Sequence, residues 1–291
     1  MALLAVASPI EAQQVFDSTF HVTTDRPQWR TDAGPLVLVD QAHHNGQVLG
    51  GEIEPLAGLL RSDGYRVAPL ADALSADAIG SADIIVIVDA LATQNVDNWV
   101  LPTPSAFSDP EMDALVSWVR RGGGLFLVAD HMPFAGAASD LARRFGVTTL
   151  NGFAIDTLTW DPIVFRRSDG TLRESPMTIG VDSVATFWGH AFRSDTGTSV
   201  MTFGPTVISY QPQRAWRFNE GTDTVAVAGW AQAIAEPFGR GRVVLLGDSG
   251  MLSAHRMGPH QNPQGLNAPA ASQNALFLLN TFHWLAASGD H

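Results

Sequence analysis

Several short apolar runs in this chain end on an acid, and three of those acids are followed closely by histidine or serine. Asp40 precedes His43 and His44, Asp130 precedes His131, and Asp248 precedes Ser249. Carboxylates and imidazoles are costly to bury without partners. Gathered in one pocket, they suit a divalent metal ion, with Zn, Mn and Ca not distinguishable, held by Asp40, His43, His44, Asp130, His131 and Asp248 around an open position for water. Such an ion would lower the pKa of that water and polarise an ester, amide or glycosidic oxygen. An extended loop cannot easily turn both His43 and His44 toward one ion, and His44 is preferred. Without a metal, Asp130, His131, Asp248 and Ser249 remain as acid–base or nucleophilic groups. Ser249 lies in Gly247-Asp-Ser-Gly250, which is not the GxSxG elbow; its bases would be His131 or His255. Asp130 as nucleophile would leave a trappable covalent adduct. Each acid also suits a helix cap or a turn. Asp89 ends an apolar run but has no histidine near it, and is left out of the set.

These side chains need elements that bring them together. Leu125–Val128, bounded by Gly122–Gly124, reads as a strand buried on both faces and stopping at Asp130-His131. Pro35–Asp40, Ile84–Val88 and Arg242–Leu246 have the same character, and 65–69 is a further strand. Helices are expected over about 52–62, from the capping box Ser108-Asp-Pro-Glu111, over 135–145 with a stop at Gly146, and over about 272–286. Strands alternating with helices imply a mostly parallel sheet flanked by helices, an α/β three-layer fold. Its carboxyl ends fall on one edge, where open α/β sheets carry their sites. Residues 224–230 and 231–236 are expected to pair as strands, and Gly239-Arg-Gly241 to turn into the strand that follows. The pattern changes over about 147–223, where short β-like runs and aromatic residues suggest a β-rich insertion walling one side of the cleft. Residues 1–34 read as a lead-in and 35–291 as one α/β domain carrying that insertion.

Composition narrows the chemistry. The 291 residues carry a net charge of −12, which argues against nucleic acid and anionic lipid as partners. All 17 basic residues are arginine. The absence of Lys excludes a P-loop grip and Schiff-base catalysis, and the absence of Cys excludes thiol nucleophiles, Cys-type zinc sites and disulfides. Residues 1–12 have the short apolar core of a signal peptide but lack its basic start. The expectation is export, to a periplasmic or secreted location, with a cytoplasmic one as the alternative. No later run is long and apolar enough for stable membrane insertion.

The order of elements resembles the class I glutamine amidotransferase-like superfamily over roughly 35–146 and 224–287. The segment 239–253, Gly-Arg-Gly-Arg-Val-Val-Leu-Leu-Gly-Asp-Ser-Gly-Met-Leu-Ser, followed by 274–285, is similar to its gliding-motility and intraflagellar-transport-type branch. In relatives with amidotransferase activity the turn after the central strand carries a nucleophilic Cys. Here the similar turn reads Ala129-Asp130-His131-Met132-Pro133, so that position falls on Asp130, and the partner His position falls near Asp248. The resemblance therefore implies the fold without thiol-based glutamine hydrolysis. Two functions follow as expectations. One is an exported, metal-dependent hydrolase acting on a small or carbohydrate-like substrate. The other, implied by the branch, is a non-catalytic ligand- or protein-binding domain.

Overall fold

The computed structural model describes residues 14–287. The signal-like residues 1–12 lie outside them. The main sheet contains β1 (Leu36–Asp40), β2 (Arg66–Leu70), β3 (Ile84–Val88), β4 (Gly124–Val128), β5 (Val147–Thr149), β6 (Phe192–Ser194), β7 (Thr198–Thr202), β8 (Ala231–Phe238) and β9 (Gly241–Leu246). Their spatial order is β2-β1-β3-β4-β9-β8-β6-β5, with β7 also paired to β8. From β2 to β9 every pairing is parallel. The β8–β9, β8–β6, β6–β5 and β7–β8 pairings are antiparallel. The four long helices are α1 (Glu54–Ser62), α2 (Asp109–Arg120), α3 (Phe134–Arg144) and α4 (Asn274–Ala286).

Strand β3 shows why the sheet is a middle layer. All five of its residues are buried. Ile84, Val86 and Val88 join a core that holds Leu56 and Leu60 of α1 and Phe277 and Phe282 of α4. Ile85 and Ile87 join the opposite core with Leu115 and Val119 of α2 and Leu141 of α3. Period-two alternation thus sends successive residues to two apolar layers. The result is the expected three-layer α/β fold. The helices run as their signals predict. The capping box is formed, with Ser108 donating its N–H and hydroxyl to Glu111 Oε2 at 2.9 and 2.6 Å.

Two expectations need correction. Residues 224–230 do not pair with 231–236. Asp223–Ala226 pairs with Val207–Gln211, which also pairs with Phe153–Asp156 in a separate three-stranded sheet. Strand β8 instead folds back on β9 as a hairpin through Gly239-Arg240, because Gly239, with a φ of 63°, supplies the tight turn. The β-rich region is also more than a wall, since β5, β6 and β7 extend the main sheet beyond β8. Within the lead-in, Gln14–Phe16 pairs antiparallel with Ala254–Met257, which pairs in turn with Asn262–Gly265.

Candidate functional site

Because β1, β3, β4 and β9 are parallel, the residues following them share one edge of the sheet. The acids there have separate fates. Asp40 is fully buried. Its carboxylate accepts from His43 Nδ1 at 2.9 Å and from Asn45 Nδ2 at 3.0 Å. Nε2 of His43 donates to Glu111 Oε1 at 2.9 Å. Burial opposes charge on His43, but the flanking Asp40 and Glu111 carboxylates outweigh it and raise its pKa. Burial opposes the Glu111 charge too, yet the hydrogen bonds from Ser108 and the contact with His43 bring its pKa down to about 2. The three residues tie the β1 loop to the start of α2. His44 is exposed, with its Nε2 3.1 Å from Thr93 Oγ1.

At the β9 end, Asp248 is fully buried. It accepts backbone N–H groups from Phe187, Gly250 and Met251 at 2.9, 3.0 and 3.2 Å. Burial, then the charge of Asp130, raises its pKa well above the carboxylate range. The six residues expected as metal ligands are therefore not brought together. Asp40 and His43 are engaged with each other and with Glu111, His44 lies on Thr93, and Asp248 holds backbone. No group of three or more His, Asp or Glu side chains among the described residues could hold a metal ion.

Asp130, His131 and Ser249 do converge, and Asp89 joins them. They line a cavity of about 900 Å³. Asp89 follows β3 with a left-handed φ of 52°. Its N–H donates to Val128 O, its carbonyl accepts from Gly46, and its Oδ1 accepts the Asp130 N–H at 2.7 Å. That conformation points an acid back across the strand ends, and Asp tolerates it better than bulky residues do. Burial first, and the negative charge of Asp130 second, push the Asp89 carboxyl up to about 8. The Ser249 hydroxyl donates to Asp130 Oδ2 at 3.1 Å and accepts from Gln47 Nε2 at 2.9 Å. The His131 Nδ1–H donates to the Met132 carbonyl at 2.6 Å, so Nε2 carries the lone pair of the neutral ring. Burial lowers the pKa of His131 and favours that neutral form. Neither His131 nor His255 is hydrogen-bonded to Ser249; the His255 Nδ1 is 2.9 Å from Ser253 Oγ. The base available to Ser249 is Asp130.

The walls are aromatic. Trp99, Trp188, Trp216, Phe134 and Phe187 face the cavity, and Phe16, His255 and Met257 of the small sheet close another side. His131 stacks on Phe153 with 4.2 Å between centroids and meets Trp216 edge-on at 4.6 Å. Trp188 is set by its neighbour Gly189, whose φ is +101° and where a Cβ would lie 1.9 Å from Gly247 O. Only glycine lets this turn dock on the end of β9, where the His190 N–H donates to Gly247 O at 2.8 Å. Acids line the cavity at Glu52, Asp89 and Asp130, and no arginine does.

No family model and no curated protein matches this chain. Solved structures do. The N-terminal domain of mmIFT52 superposes with a TM-score of 0.57 at 13% identity, covering 88% of this chain and 99% of that one. A ThuA-like protein from Bacteroides uniformis gives 0.51 at 12%, with 89% and 94% covered. A cytoplasmic protein from Salmonella typhimurium gives 0.51 at 13%, with 86% and 98% covered. The chain has the class I glutamine amidotransferase-like fold. In this version of it no cysteine is present, and Asp130 stands on the turn after the central strand. Among the described residues no helix is long and apolar enough to cross a membrane.

On the sequence alone Asp89 is left out of the set, Gln47 and Trp99 are not singled out, and the tryptophans of the β-rich region are expected only as a wall of the cleft. Asp89 carries the same strand-end signal as Asp130. Its importance comes from a contact with a residue on a neighbouring strand, not from anything adjacent in the chain.

Proposed function

We propose that the protein is a hydrolase of neutral, carbohydrate-like substrates, with Asp89 and Asp130 as its acid–base pair. The supporting observation is the acid pair at the foot of an aromatic-walled cavity, with the Asp89 carboxyl holding its proton up to about pH 8 beside Asp130. Glycoside hydrolysis uses a pair of carboxyl groups, one of them held protonated near neutral pH as the acid. Asp89 donates its proton to the departing oxygen as the bond to carbon breaks. Asp130 takes a proton from the water whose oxygen forms the new bond. Ser249, hydrogen-bonded to Asp130 and Gln47, holds the carboxylate in position. The His131 Nε2 lone pair accepts a substrate hydroxyl. The tryptophan faces cover the C–H faces of sugar rings, and the acidic lining repels anionic substrates. This chemistry routes no step through a metal ion. A periplasmic or secreted location belongs to the same proposal and rests on residues 1–12 of the sequence.

The test is turnover of a panel of neutral glycosides, with esters and amides beside them, by wild type, Asp89→Asn and Asp130→Asn. The expectation is glycoside cleavage that falls by about a hundredfold or more in each variant, while ligand affinity stays within a few-fold. Turnover equal in all three proteins would overturn the assignment. The second reading, a binding domain without turnover, is favoured by Asp248, whose two oxygens serve backbone groups alone. It predicts sugar affinity with no cleavage of any panel member.

A further inference from the structure

We propose that the ligand is a linked chain of neutral sugar units and that Trp216, Trp188 and Trp160 form the track for the units outside the cavity. This rests on the reading of the cavity as a site for carbohydrate-like ligands. The rings are continuous from floor to surface. His131 meets Trp216 at 4.6 Å, Trp216 meets Trp188 at 5.3 Å, and Trp188 meets Trp160 at 6.0 Å. Trp216 and Trp188 line the cavity, whereas Trp160 does not. Trp216 is 44% exposed and Trp160 58% exposed, with Trp188 half-buried between them.

All three tryptophans have left-handed backbone, with φ of 62° at Trp216, 79° at Trp188 and 67° at Trp160. A bulky residue in that region is an outlier. Such conformations persist where the surroundings enforce them, and they gather at ligand clamps. Burial does not explain Trp160, since more than half of it faces solvent. An exposed ring on a strained backbone gains little from the fold and most from whatever covers it.

The geometry also selects the kind of ligand. Successive ring planes are turned by 79° and 80°. A rigid flat ring system cannot lie on both faces of such a pair, but a chain with rotatable linkages turns with them.

The test measures affinity by calorimetry for neutral gluco-, manno-, galacto- and xylo-oligosaccharides, each as monomer, dimer and tetramer. The proteins are Asp130→Asn, which slows cleavage, alone and combined with Trp160→Ala or Trp160→Tyr. The expectation is that in at least one series affinity rises about tenfold or more from monomer to tetramer. Trp160→Ala abolishes the rise without changing monomer affinity, and Trp160→Tyr keeps most of it. Monomer binding with no gain from length, or a gain that survives Trp160→Ala, overturns the track and leaves the cavity reading standing. Failure of every series to bind overturns both.

Discussion

Replacing Asp89 by Asn should make the protein more stable at alkaline pH while removing its proton donor. In the folded chain the Asp89 carboxyl keeps its proton to about 8, against 3.8 for an unperturbed aspartate. Between those values the unfolded chain binds fewer protons, so stability is full below the unfolded pKa and falls as pH rises toward the folded one. Each unit costs about 1.4 kcal/mol. From about pH 5 to about pH 8 the ceiling is therefore about 4 kcal/mol. The Asn variant keeps a carbonyl oxygen to accept the Asp130 N–H, and Asn also tolerates the φ of 52° at this position. Its geometry should survive and most of its pH slope should go. Asp248, also raised, contributes a residual slope of the same sign. Urea denaturation of both proteins from about pH 5 to about pH 9 reads the difference directly. Parallel profiles for wild type and variant would refute the reasoning, because Asp89 would then not be the group that titrates.

Three further outcomes follow from individual contacts. Asp248→Ala leaves three backbone N–H groups without their acceptor and should cost about 3 kcal/mol or more in urea denaturation, with Asp248→Asn losing less. His43→Ala removes the bridge between Asp40 and Glu111 and should cost about 3 kcal/mol near pH 6. Because the folded His43 pKa is raised, that loss should be fullest below 6.5, the ordinary value of the imidazole, and shrink as pH climbs through the folded value. Trp160→Gly releases a left-handed backbone at an exposed site, so thermal stability should rise by about 1 kcal/mol while oligosaccharide affinity falls.

The sequence carried the fold well because its signals are local. Runs such as Ile84–Val88 can be satisfied only between two apolar layers, and Ser108 and Glu111 mark the start of α2 within four residues. The carboxyl edge followed from parallel strands alone. The site was legible in part. Asp130, His131 and Ser249 stand where strand ends predict, but side-chain destinations depend on distant residues. Asp40 and His43 turn to Glu111 on α2, which no spacing announces. Asp89 gains its raised pKa first from burial and then from Asp130 across a strand pair, neither of which is marked by its neighbours in the chain. The short apolar run at 224–227 could not name its partner, since pairing depends on the register of strands far away in the chain. Nothing in the composition of the β-rich region marks its tryptophans as left-handed, because that backbone is imposed by packing.

The central claim is that Asp89 delivers a proton beside Asp130 at the foot of the cavity. Its most direct test is the pH dependence of kcat/KM for release of sugar from a neutral oligosaccharide, measured for wild type and Asp89→Asn in the presence of a chelator. The account predicts a wild-type rate that declines above about pH 8 as Asp89 loses its proton, and a variant with little activity at any pH. A wild-type rate that stays level to about pH 10, or a variant as active as the wild type, would contradict it.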